Sequence, residues 1–166
     1  PTKYFCPQDF IKGKVSISKE KKEKKRKIKQ KIYVKLGDVD KAAAEIKSLI
    51  KAFPDELRYQ GLLADLYLAN EMPENAFEIY QQILAIEPNN PYAHLSLYDY
   101  YKNKDENVKA IESLKKAFAN EELDIDTKVQ ILLSYYEATQ SDNSLKKEAF
   151  ELSKILIETH PEDAKS

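Results

Sequence analysis

The sequence predicts an all-α fold, a right-handed α-solenoid of about four helical hairpins, and three observations predict it. Large and small residues recur with a fixed period of 34: Tyr33, Tyr67, Tyr101 and Tyr135; Leu63, Leu97 and Ile131; Ala42, Ala76 and Ala110. Each period holds two stretches with apolar residues three and four apart, separated by a break. The 166 residues include only three glycines and no tryptophan, and Lys, Glu, Ala, Leu and Ile dominate, residues that mostly cost little in a helix. Self-similarity at this period marks stacked units, none of which can bury its apolar face alone. A chain of this size with 42% hydrophobic residues can bury a core.

Residues 1–18 carry no repeat pattern and are expected to be irregular. The array is expected over 19–161, as repeats of about 19–54, 55–88, 89–122 and 123–161, with 162–166 beginning a truncated further repeat. The first repeat fits in its second half, through Ala42, Ile46 and Pro54, whereas Lys29 stands where a leucine belongs; its opening helix is therefore abnormal. In the second repeat a helix from about Asp55 to Asn70 places Leu63, Leu66 and Tyr67 on one face. Another runs from Pro73, suited to a first turn where an N–H has no partner anyway, to Ile86, ahead of the stop at Pro88. Ala76 is small because two antiparallel helices must approach closely there, with Tyr67 and Tyr80 filling the flanks. The third repeat keeps Leu97, Tyr101, Ala110 and Leu114 but has Tyr98 at a small-residue position. The fourth keeps Ile131 and Tyr135, then delays its alanine to Ala149 and its proline to Pro161. That lengthening falls in TQSDNSLKK and predicts a longer turn between the two helices.

Charge is unevenly spread. Residues 1–36 hold 13 Lys/Arg against 3 Asp/Glu, and the rest of the chain is acidic enough to bring the total to −1. Lys19–Lys31, KEKKEKKRKIKQK, permits electrostatic binding of nucleic acid or an anionic membrane. It has no interleaved aromatics for base stacking and no apolar face before Ile28, so both readings lack their second component. A solvated helix is favoured, with Ile28, Ile32, Tyr33 and Leu36 docking and the Lys-rich front projecting.

Catalysis is not indicated. One cysteine, Cys6, and two histidines, His94 and His160, assemble no metal quartet or Cys/His relay. His94 reads as a packed core residue and His160 as a cation at a helix end. Gly13, Gly37 and Gly61 are too dispersed for a phosphate loop, so no cofactor or metal is expected. No apolar run approaches the ~18 residues of a membrane span, and a soluble chain is expected.

The second repeat resembles the tetratricopeptide repeat (TPR) through Leu63, Ala64, Tyr67, Ala76, Tyr80 and Pro88, with Gln60 at the usual tryptophan position. The resemblance covers about residues 17–161. Phrases such as KIYVKLGDVDKAAAEIKSLI are similar to long bacterial multi-repeat TPR proteins, which points to a fragment of one, in the cell envelope, the periplasm or the cytoplasm. It implies a scaffold that binds a protein or peptide in a concave groove lined by each repeat's first helix. The corresponding residues are Arg58 and Asp65; Tyr92, Asp99, Lys102 and Asn103; and Asp126, Tyr136 and Glu137, with Val129 and Leu133 beside the last three. TPR clamps for a C-terminal carboxylate use Lys, Asn and Arg where this chain has Gly61, Asp65, Ser96, Asp126 and Gln130, so no such clamp is expected. Carboxylates interleaved with tyrosines suit a cationic partner segment. Self-association is a further reading, the basic segment entering the acidic groove of another copy in a salt-sensitive contact.

Overall fold

The computed structural model describes residues 7–140 and 143–162, with side chains from residue 19 on, Ser144 excepted. Among these residues the chain forms eight α-helices and one short 3-10 turn, with no strand. It divides into two compact units, Pro1–Met72 and Pro73–Ser166.

The first unit holds α1 (Pro7–Lys35), α2 (Val39–Ala52) and α3 (Arg58–Leu68). The segment expected to be irregular over 1–18 is helical from Pro7; residues 1–6 lie outside the described residues. Proline fits a helix start, and the unbranched lysines that follow propagate the helix at little cost. α1 ends where Gly37 turns left-handed at φ 70°, a conformation that glycine adopts without a Cβ clash. Asp38 then caps α2, its side chain accepting from the Lys41 N–H at 3.1 Å. α2 buries Ala42, Ala43, Ile46 and Leu49, the spacing of one helix face.

The Lys-rich front half does not simply project. Glu23 accepts from the buried Tyr59 hydroxyl of α3 and pairs with Lys27 at 2.6 Å and Arg58 at 3.6 Å. Lys19 lies 4.6 Å from the centre of the Phe53 ring and Lys27 5.4 Å from that of Tyr59. Lys29, at the leucine position, reaches Glu45 of α2 at 3.2 Å. Glu23, one of two glutamates that interrupt the lysine run, thus docks it. Ile28, Ile32 and Leu36, expected to dock, are instead at least half exposed.

The second unit holds α4 (Pro73–Ile86), α5 (Pro91–Asn103), α6 (Asn107–Phe118), α7 (Ile125–Thr139), the 3-10 turn Asn143–Leu145 and α8 (Lys146–Thr159). α4 has the bounds the prolines predicted. Asn90 and Asp124 cap α5 and α7, accepting from the N–H groups of Ala93 and Thr127 at 3.0 and 2.8 Å. α4 packs on α5, α5 on α6, and α8 on both α6 and α7. Leu114, Phe118 and Leu152 form a buried cluster on which Tyr98, Ile131, Tyr135 and Ile155 pack. Phe77 of α4 stacks on Tyr100 of α5, ring centres 4.6 Å apart. The lengthened turn falls between Thr139 and Lys146. The segment 162–166, expected to open a further repeat, lies beyond the described residues except for Glu162.

Candidate partner-binding faces of the second unit

α7 and α8 turn one face inward and leave the other open. Leu152 and Leu156 of α8 are buried, whereas Phe150 and Ile157, on another face of the same helix, are 77% and 54% exposed. Facing them across the hairpin, Leu133 and Tyr136 of α7 are 57% and 65% exposed. With Val129 and Ser153 these side chains line an open groove of about 630 Å³. Its wall is mostly hydrocarbon; Ser153 turns its hydroxyl back onto the Ala149 carbonyl at 2.8 Å.

A second cavity, of about 520 Å³, is more polar. Tyr98 and Lys102 of α5, Val108 and Ile111 of α6, Tyr135 of α7 and Glu148 of α8 line it. Lys102 donates to the Tyr98 hydroxyl at 3.1 Å. Burial, then a hydrogen bond with Tyr98 and the nearby Glu148 carboxylate, push the Tyr135 phenol well above its ordinary value. The Oε2 of Glu148 is buried and has no hydrogen-bond partner.

The residues expected to line a groove are placed as follows. Arg58, in the first unit, is tied to Glu23 and to Glu56 at 3.0 Å, and Asp65 is exposed on α3. In the second unit Tyr92, Asp99, Lys102, Asn103, Asp126, Tyr136 and Glu137 are all exposed. Crowding by protein atoms still raises the Asp99 carboxyl above its usual range, against the pull of Lys102. Tyr136 lines the apolar groove, together with Val129 and Leu133, and Lys102 lines the polar cavity. Phe150 and Ile157 were missed; their signal is an apolar pair seven residues apart, two helical turns, on α8.

One buried polar group also escaped notice. Lys128, fully buried, donates to the Asn120 carbonyl at 2.9 Å and lies 2.7 Å from Nε2 of His160. His160 thus does more than end a helix: its Nε2 lies within hydrogen-bond distance of a buried lysine. Burial pushes the Lys128 ammonium below its ordinary pKa. His94 is buried as expected, its Nε2 donating to the Pro88 carbonyl at 2.9 Å, and burial lowers its pKa.

Among the described residues no group of three or more His, Cys, Asp and Glu could hold a metal ion. No described helix is long and apolar enough to cross a membrane.

The tetratricopeptide repeat family matches this chain over residues 31–91. Two crystal structures of MamA are similar to it. One has 22% identity and a TM-score of 0.54 over 80% of this chain and 74% of that one. The other has 21% identity and a TM-score of 0.55 over 86% and 75%. At such identities the likeness shows the fold, an α-solenoid of helical hairpins. No curated protein matches the sequence significantly.

Proposed function

We propose that this chain is a tetratricopeptide-repeat protein and a non-catalytic scaffold, whose second unit takes up a segment of another polypeptide. The carrying observation is the α7–α8 groove, where Leu133, Tyr136, Phe150 and Ile157 are each more than half exposed. Contiguous apolar surface on a water-soluble face marks an interaction site. Aromatic anchors in a largely pre-formed groove supply affinity, because little conformational freedom is lost on binding.

Charge narrows the partner. The second unit, residues 73–166, has ten lysines against eighteen Asp and Glu, a net charge of −8. A cationic segment approaches it favourably and an anionic one is repelled. Binding of nucleic acid, of an anionic membrane or of a second copy through residues 19–31 has less support, since part of that run is spent on Glu23, Phe53, Tyr59 and Glu45.

Photo-crosslinking tests the reading. With p-benzoylphenylalanine at position 136 or 150, the chain should form a discrete adduct with another protein in its own cells. The same group at Glu112, exposed on α6 and lining neither cavity, should form none. Adducts from all three positions alike, or from none, would overturn the assignment.

A further inference from the structure

We propose that the polar cavity beside α5–α8 is a pocket for one cationic side chain, Lys or Arg, of the bound polypeptide, with Glu148 as its ion partner. The proposal rests on the protein-binding reading and specifies what one residue of the partner must be.

Glu148 supplies the main reason. Its Oε2 is buried without a hydrogen-bond partner, and a buried oxygen of this kind is normally satisfied. The cavity it lines measures about 520 Å³, room for a long side chain and part of its backbone. An apolar guest would leave the oxygen orphaned, and an anion would meet a carboxylate inside a unit of net charge −8. A guanidinium or ammonium supplies the missing donors and the opposite charge, the stronger class of hydrogen bond.

The rest of the lining fits the same guest. Val108 and Ile111 offer an aliphatic wall for a methylene stem, as long cationic side chains require. Tyr98 and Tyr135 also line it, and an ammonium already sits 5.3 Å from the centre of the Tyr98 ring, that of Lys102, the attraction a guest cation would use. Lys102 also lines the cavity, but its ammonium is engaged with the Tyr98 hydroxyl at 3.1 Å. Its side chain is exposed and free to swing to solvent as a second cation enters.

The probe is the pentapeptide acetyl-Gly-Ser-Arg-Ser-Gly-amide, with a twin carrying citrulline, which keeps the shape and loses the charge. Both are titrated into the isotope-labelled full chain and followed by NMR. The arginine probe should shift the amides of residues 98, 135 and 148 saturably, with the citrulline twin at least about tenfold weaker. Glu148→Gln should weaken the arginine probe by a similar factor while melting no lower than the wild type, because the buried Oε2 has no hydrogen bond to lose. Equal binding of the twins, undiminished binding to Glu148→Gln, or no saturable shift would overturn the proposal. So would a lower melting temperature of Glu148→Gln, which would reveal an internal partner. Adducts at position 136 together with no saturable shift of the wild-type chain by the arginine probe would leave the scaffold reading standing and this one refuted.

Discussion

The two units dispose of surface chemistry in opposite ways. The first has seventeen Lys and Arg against ten Asp and Glu, a net charge of +7, yet several of the cations along α1 have internal work. Glu23 gathers Lys27, Arg58 and the Tyr59 hydroxyl, while Phe53 and Tyr59 offer their rings to Lys19 and Lys27. The second unit is acidic, and its largest unsatisfied feature is hydrocarbon: four big side chains stand open on α7 and α8. A conspicuous charge run can thus belong partly to a unit's own packing, while apolar groups stand uncovered elsewhere, on the face proposed to bind.

Substitutions at the centre of the second unit should break this contrast most severely. Phe118 is fully buried against Leu114 and Leu152, so Phe118→Ala should cost about 3–5 kcal/mol, read as a lower urea midpoint. Ala117 on the same helix is also fully buried; Ala117→Leu should cost about 1–3 kcal/mol by overpacking. An unchanged midpoint in either would mean that α6 does not form the core.

The first unit is probed through its internal tie. Tyr59→Phe removes the hydroxyl that Glu23 accepts and should cost about 0.5–1.5 kcal/mol. Hydrogen bonds from Lys27 and then Tyr59 hold the Glu23 carboxyl below its ordinary 4.5. Its stabilisation is therefore present above pH 4.5 and lost as pH falls through the lowered value. The stability gap between wild type and Tyr59→Phe should close over that range, and a gap constant down to pH 2 would mean that α1 is not held this way.

Lys128 gives a smaller pH signature of the same sign, in the alkaline range. Burial lowers its pKa from 10.5, so between the two values the unfolded chain binds more protons, and stability should rise with pH there. Lys128→Met, close in shape, should retain the fold and lose that rise.

The period of 34 and the prolines made the helix layout legible: Pro73 and Ile86 bound α4 as read from the sequence, and Ala42, Ala76 and Ala110 are all buried. The start of α1 was not legible, because residues 7–18 carry none of the 34-residue pattern from which the other helices were read. Nor was the Lys128–His160 contact, whose members are 32 residues apart and join only when the chain folds. A hint existed in register: Gln60, His94 and Lys128 recur at the 34-residue spacing, at the position TPRs usually give to tryptophan, and all three are buried. For the candidate site, Tyr136, Val129 and Leu133 were legible as outward positions of a first helix. Phe150 and Ile157 were not, since the expected groove drew on first helices alone and α8 belongs to the second helix of its repeat.

The most direct test of the central claim is the thermal and urea stability of a Tyr136→Ala, Phe150→Ser double variant. If the α7–α8 face is a surface held open for a partner, the loss should stay within about 0.5 kcal/mol per substitution, while adducts from a crosslinker at position 133 disappear. A loss of about 3 kcal/mol or more would show that these side chains belong to the chain's own core, and the groove would not be a binding face.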